Sequence, residues 1–367
     1  MLEIIPKIPL QMAFRRFGWP RQLPFSLVIS VCYRCNSRCL TCNVWKKEAD
    51  ELSLEEWEQV FAKIGRTPYY LTFSGGEPFL RREIVELIGL AYQHCQPKVI
   101  TIPTNGLLYN TIPEQVEAIL KATPGAQVGI NLSLDGLGFQ HDEIRNVPGT
   151  WERAMKTYRA LRALDYPHLT LSIHTVISRL NVADIPTIYQ GLQALEPDSY
   201  ITEIAEERVE LDTMGMGDTI SPTPEEYARA ADFLIEHLRG QRFRGLARLT
   251  QAFRITYYDL VKRILHERRQ VIPCYAGWAS GHIAPNGDVW TCCTRAEPIG
   301  NLRQTDYDLR RIWFGEKAKR LRRSIAAGEC YCPMANASYT NMLLHLPTLA
   351  QVLQAIIWHG SLRVKTP

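Results

Sequence analysis

Three cysteines stand within one short stretch, Cys35-Asn36-Ser37-Arg38-Cys39-Leu40-Thr41-Cys42, spaced Cys-x3-Cys-x2-Cys. Three thiolates can hold three corners of an iron–sulfur cube, and a [4Fe–4S] cluster has four irons. A loop with only three ligands leaves one iron open to a further ligand. Eight of the ten cysteines fall into two groups, Cys35 to Cys42 and Cys274 to Cys332. With Met1-Leu2-Glu3 and early prolines in place of a secretory signal, this grouping reads as metal or cluster ligation in a reducing cytoplasm rather than as a disulfide framework.

A second stretch with chemical potential is Ser74-Gly75-Gly76-Glu77-Pro78. Paired glycines let a ligand approach the backbone closely. Both stretches follow apolar, strand-like runs, Phe25–Val31 and Tyr69–Ser74. Further runs occur at Lys98–Pro103, Gln127–Asp135, His168–Ile177 and Ser199–Ala205, with helical patterns between them. Ser53 with Glu56 reads as a capping box, Asn181 as a cap for the fifth helix, and Thr223-Pro224-Glu225-Glu226 as the opening of the sixth. Six β–α units in a row predict parallel strands with right-handed crossovers. On the fourth strand Val128, Ile130 and Leu132 alternate with Gly129, Asn131 and Ser133. On the fifth, Leu169, Leu171 and Ile173 alternate with Thr170, Ser172 and His174. One face is apolar beneath helices and the other polar, so the sheet is expected to curl round a hollow lined for a ligand. Both loops lie at the C-terminal ends of their strands, where such folds place active sites.

At 367 residues the chain has room for such a barrel and an appendage. The expected divisions are an N-terminal arm (1–24), the barrel (25–240), a basic linking helix with a solvated face (241–270), a cluster-binding domain of hairpin plus helix (271–335) and an amphipathic helix (336–367). The hairpin is signalled by Asn286-Gly287 between His282-Ile283-Ala284 and Val289-Trp290-Thr291. The last helix carries a stripe of Leu346, Leu349, Val352, Leu353, Ile356 and Ile357. A net charge of +4 gives no case for nucleic acid as a partner.

Cys35-x3-Cys39-x2-Cys42 after the first strand, followed by Gly-Gly-Glu-Pro after the second, resembles the radical S-adenosylmethionine (SAM) superfamily. The resemblance covers roughly residues 25 to 205 and implies an α/β fold, a partial (β/α)6 TIM-like barrel. It implies SAM chelated to the open iron of a [4Fe–4S] cluster, and reductive cleavage to methionine and a 5′-deoxyadenosyl radical that abstracts a substrate hydrogen. Carried onto this sequence, Gly75, Gly76 and Glu77 would receive the methionine amino group. Ser133 and Arg145 resemble positions that hold its carboxylate, and Thr104-Asn105-Gly106 resembles the third-strand cofactor element. A structural hydrogen bond for Ser133 and a surface charge for Arg145 are the plainer alternatives.

Cys274-x12-Gly287-x4-Cys292 with Cys330-x-Cys332 resembles the auxiliary-cluster domains of the same superfamily, called SPASM in the two-cluster and twitch in the one-cluster form. The resemblance implies one extra [4Fe–4S] cluster on Cys274, Cys292, Cys330 and Cys332, used for electron transfer. A structural zinc site is the alternative, although zinc ribbons usually pair cysteines two to four apart. Some peptide-modifying relatives carry an acid acting as base just after the second ligand. Here that residue is Cys293, read as a redox or proton-relay thiol. His174 should point into the hollow, either to contact substrate or merely to satisfy a neighbour, and Glu203, Glu206 and Arg208 would line its mouth, with His174 and Glu203 as catalytic candidates.

The resulting expectation is a cytoplasmic oxidoreductase served by a low-potential flavodoxin- or ferredoxin-type donor. Its greasy, basic termini also suit contact with a membrane surface. The short stretch before the first strand cannot form a peptide-binding domain, which favours a small-molecule or lipid substrate. A SPASM-type peptide maturase is the alternative, and a non-catalytic iron–sulfur or zinc-binding protein the reading from another class.

Overall fold

The computed structural model describes residues 2–241 and 246–361. Six strands appear where the alternation places them: β1 (Ser26–Cys32), β2 (Tyr70–Gly75), β3 (Val99–Thr104), β4 (Gln127–Ser133), β5 (Leu169–Ile177) and β6 (Ser199–Ile204). Each pairs in parallel with the next. The C-terminal strands are β7 (Ser280–Ile283), β8 (Asp288–Trp290) and β9 (Pro298–Asn301). β7 pairs in parallel with β1, and β8 and β9 follow antiparallel. The hairpin expected around Asn286-Gly287 is therefore present, and it extends the barrel's own sheet. The order β6-β5-β4-β3-β2-β1-β7-β8-β9 leaves β6 and β9 as edges, so the barrel is partial and open.

The helices run α1 (Lys7–Phe17), α2 (Leu54–Ile64), α3 (Ile84–Cys95), α4 (Ile112–Ala122), α5 (Phe139–Arg145), α6 (Thr150–Arg162) and α7 (Ile185–Gln193). After β6 come α8 (Gly217–Ile220), α9 (Pro224–Gly240) and α10 (Leu246–Glu267), then α11 (Leu309–Trp313), α12 (Glu316–Ala326), α13 (Ala335–Leu344) and α14 (Leu346–Ser361). The expected capping box forms, and the opening at Thr223 proves to be a second one. Ser53 and Glu56 close the start of α2, and Thr223 and Glu226 that of α9, each satisfying amides that have no partner within the helix. Glu56 also binds Arg303 at 2.6 Å, which ties α2 to the C-terminal part of the chain.

Three local expectations are corrected. Asn181 caps no helix. Its amide donates to Asp135 O and Val176 O, tying the loop after β5 to the end of β4. The basic face of α10 is not wholly solvated, because Arg254 is buried with Nη2 on Ser199 Oγ at 2.8 Å. Two of the basic residues expected in the linking helix, Arg242 and Arg244, lie outside the described residues. The C-terminal stripe is split: Val352 is buried, Leu346 and Leu353 are exposed, and the side chain of Ile357 lies outside the described residues. The N-terminal arm docks through Phe14, edge-on to Phe314 at 6.0 Å, and leaves Phe17 and Trp19 exposed. No described helix is long and apolar enough to cross a membrane.

The helix-facing residues Ile29, Phe73, Ile102, Ile130 and Ile173 are fully buried. Asn131, Ser133 and His174 turn the other way and line a cavity of about 350 Å³. The alternation on β4 and β5 thus marks the inner and outer faces of the sheet.

Candidate active site

The cysteine loop leaves β1 and leans on the end of α5. Arg38 N and Leu40 N donate to Arg145 O and Ile144 O, at 3.2 and 3.0 Å. Ser37 Oγ donates to Arg145 O as well. Polar groups crowd the sulfurs: Ser37 Oγ lies 3.2 Å from Cys39 Sγ, Arg145 Nη1 3.6 Å from it, and Asn105 Nδ2 3.8 Å from Cys35 Sγ. Burial pushes the Cys35 thiol up to about 11 and Cys42 up to about 12, so thiolates here need a compensating cation. Cys35, Cys39 and Cys42 all border the same cavity, which fits cluster irons presented to it.

The Gly-Gly turn is pressed against this loop. A Cβ on Gly75 would stand 2.1 Å from Cys32 O, and one on Gly76 2.2 Å from Arg34 O. Gly75 also has φ +126°, a conformation side chains disfavour. The close approach lets Gly76 N donate to Cys32 O and Glu77 N to Arg34 O, both at 2.8 Å. The glycines thus lock the second loop to the first. Glu77 is buried, and its carboxylate accepts from Thr104 Oγ1 (2.9 Å), Asn105 N (2.8 Å) and Phe79 N (3.3 Å). Burial raises its pKa to about 7, against the pull of these donors. Thr104 and Asn105 therefore join the site partly through Glu77, while all three border the cavity.

Ser133 and Arg145 lie on the same wall. Arg145 is buried, not a surface charge, and its Nη2 meets Asp135 Oδ2 at 2.7 Å. Its Nε is buried without a hydrogen-bond partner. His174 stands beside Ser133 on the neighbouring strand, and Glu203, Glu206 and Arg208 complete this part of the lining. Arg208 Nη2 binds Glu203 at 3.1 Å, and its Nε lies 3.4 Å from Glu206. Burial lowers His174 and holds it neutral. Burial alone would raise Glu203, but the Arg208 guanidinium brings it below its ordinary value. Burial raises Glu206 despite Arg208.

The second cysteine group comes from separate elements. Cys274 precedes β7, Cys292 follows β8, and Cys330 and Cys332 lie between α12 and α13. Burial pushes Cys274 up to about 12, and Cys292 and Cys330 add to the shift. Cys332 is raised by burial, by Glu206 and by Cys274 and Cys292 in turn. Cys274, Cys330 and Cys332 border one small pocket, and Cys292 is near enough to add its charge to theirs. Arg15 Nε on Cys274 O (3.0 Å) and Gln270 Nε2 on Cys330 O (2.9 Å) brace the backbone around them. Cys293 packs with Cys332 and Met334 and forms part of the wall of the main cavity, with Sγ 2.9 Å from Met334 Sδ.

Asp135, Glu210 and His282 were not singled out from the sequence. Asp135 stands in the Ser133-Leu134-Asp135-Gly136 run that drew attention to Ser133, which was its signal. Glu210 and His282 carried no local sign.

The family model of the radical SAM superfamily matches residues 29–192, and that of an iron–sulfur cluster-binding domain matches residues 274–333. Mycofactocin maturase MftC of Mycobacterium tuberculosis is 24% identical over 88% of this chain and 78% of its own length. PqqA peptide cyclase of Granulibacter bethesdensis is 26% identical over 80% of this chain and 75% of its own. Fe-coproporphyrin III synthase of Methanosarcina barkeri reaches 31%, but over 46% of this chain, which spans only 40% of that relative's length. Among solved structures, Streptococcus suis SuiB bound to S-adenosylmethionine is similar in fold, with a TM-score of 0.59 at 16% identity over 82% of this chain and 68% of that one.

Proposed function

Because this chain belongs to the radical SAM superfamily and carries a SPASM-type iron–sulfur domain, we propose that it is a peptide-modifying enzyme. Its cofactors are SAM, a [4Fe–4S] cluster that binds it and an auxiliary iron–sulfur cluster. When bound, the first cluster and SAM supply one-electron cleavage chemistry that yields a hydrogen-abstracting radical. On this reading Cys35, Cys39 and Cys42 hold that cluster, and Cys274, Cys292, Cys330 and Cys332 hold the auxiliary one. The Gly75-Gly76 turn and the Ser133–Arg145 wall orient SAM between them, with Asp135 fixing the guanidinium. The cavity excludes water from the reacting carbon, and the neutral ring of His174 accepts the substrate proton with Glu203 as its charged neighbour.

The observation that carries this reading is one cavity bordered both by the three loop thiols and by Cys293, one residue from a proposed ligand of the auxiliary site. An auxiliary cluster held by Cys274, Cys292, Cys330 and Cys332 would supply an electron-accepting group beside that part of the cavity wall. The peptide class is supported by the cyclase that matches along most of the chain, against the small-molecule or lipid substrate expected from the sequence. A flavodoxin- or ferredoxin-type protein is the proposed electron donor.

The test is anaerobic reconstitution, reduction and a search for 5′-deoxyadenosine, followed by co-expression with short peptides encoded beside the gene. The expected result is SAM-dependent 5′-deoxyadenosine and a mass change in one such peptide. No 5′-deoxyadenosine above a Cys39→Ala control overturns the enzyme reading. Turnover with a small molecule but with no neighbouring peptide overturns the substrate class alone.

A further inference from the structure

Apart from the seven thiols assigned to the two clusters, a trio of potential ligands is drawn together among the described residues. Glu210, His282 and Cys293 are all buried, and their ligand atoms lie within 4.8 Å of one another. They come from the segment after β6, from β7 and from the turn after β8. We propose that these three residues form a third metal site, for a divalent ion of the zinc or ferrous class, opening onto the reaction cavity.

The site is built before any ion arrives. His282 is fixed by pairing to β1 on one side and β8 on the other, and its ring lies 4.7 Å from that of Trp290. One ring nitrogen, Nε2, is 2.8 Å from Ser30 Oγ and 3.7 Å from Glu210 Oε1. The other, Nδ1, is buried without a partner, a costly state for a polar atom in a site 1% exposed. The segment carrying Glu210 is tied to the turn carrying Cys293, since Glu210 N donates to Cys293 O and Val209 N to Thr294 O. Lys47 Nζ holds the Glu210 carbonyl from the other side.

The donor set selects the ion. One imidazole, one carboxylate and one thiolate suit zinc or ferrous iron; calcium and magnesium want oxygen, and copper(I) wants more sulfur. Three protein ligands leave a position free, as catalytic zinc sites do. Glu210 and Cys293 both border the cavity, so that position faces it and can take a carbonyl, carboxylate or thiolate of the substrate. Cys293 then serves as a ligand, not as the free proton-relay thiol expected from the sequence.

The test does not depend on turnover. Anaerobically reconstituted protein is dialysed against zinc sulfate, then against zinc-free buffer, and zinc, iron and sulfide are counted. The expected result is one zinc per chain beyond the cluster iron, retained in Cys274→Ala, where the auxiliary cluster is lost. Glu210→Gln and His282→Asn should each weaken zinc binding by about tenfold or more while iron and sulfide stay at wild-type values. Equal zinc in wild type and both variants, no zinc retained by wild type, or zinc lost in Cys274→Ala would each overturn the proposal. Glu210→Gln keeps the side chain's shape, so it still decides the matter if His282→Asn fails to fold.

Discussion

Replacing Gly76 with alanine tests whether the contact between the two loops makes the site. The new Cβ would lie 2.2 Å from Arg34 O and 2.5 Å from Tyr33 O. Both are backbone atoms that cannot rotate away, so the turn must retreat by roughly 1 Å to reach ordinary van der Waals contact. That displacement stretches the 2.8 Å bonds from Gly76 N to Cys32 O and from Glu77 N to Arg34 O beyond useful length. Two lost buried hydrogen bonds, with donors left unpaired, cost roughly 2–5 kcal/mol. A shift of about 1 Å between groups that must hold one ligand can cost about 10²-fold in rate. The assay is 5′-deoxyadenosine formation by the reconstituted variant, read beside its iron content and its thermal midpoint. We expect the cluster iron to be retained, a lower midpoint and a rate lower by about two orders of magnitude. A Gly76→Ala protein with SAM cleavage within about twofold of wild type would refute the reasoning, because the turn would then have no positioning role.

Gly89, in the interior of α3, is the matched control: a Cβ there meets nothing nearer than Ala122 Cβ at 4.0 Å, so Gly89→Ala should raise stability by about 0.5–1 kcal/mol in urea denaturation. Asp135→Asn should cost about 3–5 kcal/mol by leaving Arg145 buried without its counter-charge, and should weaken SAM binding in equilibrium dialysis. Arg303, followed by burial and by donors from Ser53 and Tyr307, sets the Glu56 pKa, and the net effect brings it down to about 2 from the ordinary 4.5. A carboxylate with a depressed folded pKa stabilises above its unfolded value and loses that contribution as pH falls. The gap in urea midpoint between wild type and Glu56→Gln should therefore be full at neutral pH and close between about 4.5 and about 2; a gap unchanged across that window would count against the assignment.

Short-range chemistry was readable along the chain. The cysteine loop and the Gly-Gly turn each follow a largely apolar strand, one capping box was visible as Ser53 with Glu56, and Thr223-Pro224-Glu225-Glu226 was visible as a helix opening. The alternation on β4 and β5 separated helix-facing from cavity-facing positions, because successive side chains of a strand must leave on opposite sides. Such signals arise from residues within a few positions of one another, where backbone geometry fixes the outcome. Asn181 shows the limit even locally: the residue type suited a cap, and the fold used its amide to bridge two strand ends.

Tertiary structure alone decided what meets across the sheet. Asp135 neutralises Arg145, Glu77 turns to Thr104 and Asn105, and Ser30 finds His282, 252 residues away. That last contact exists because β7 returns to pair beside β1, a choice of strand partner that leaves no mark on either segment's periodicity. The sequence determined which side chains face inward; which of them come within reach of one another depended on strand order and register, and these are set by the packing of the whole chain.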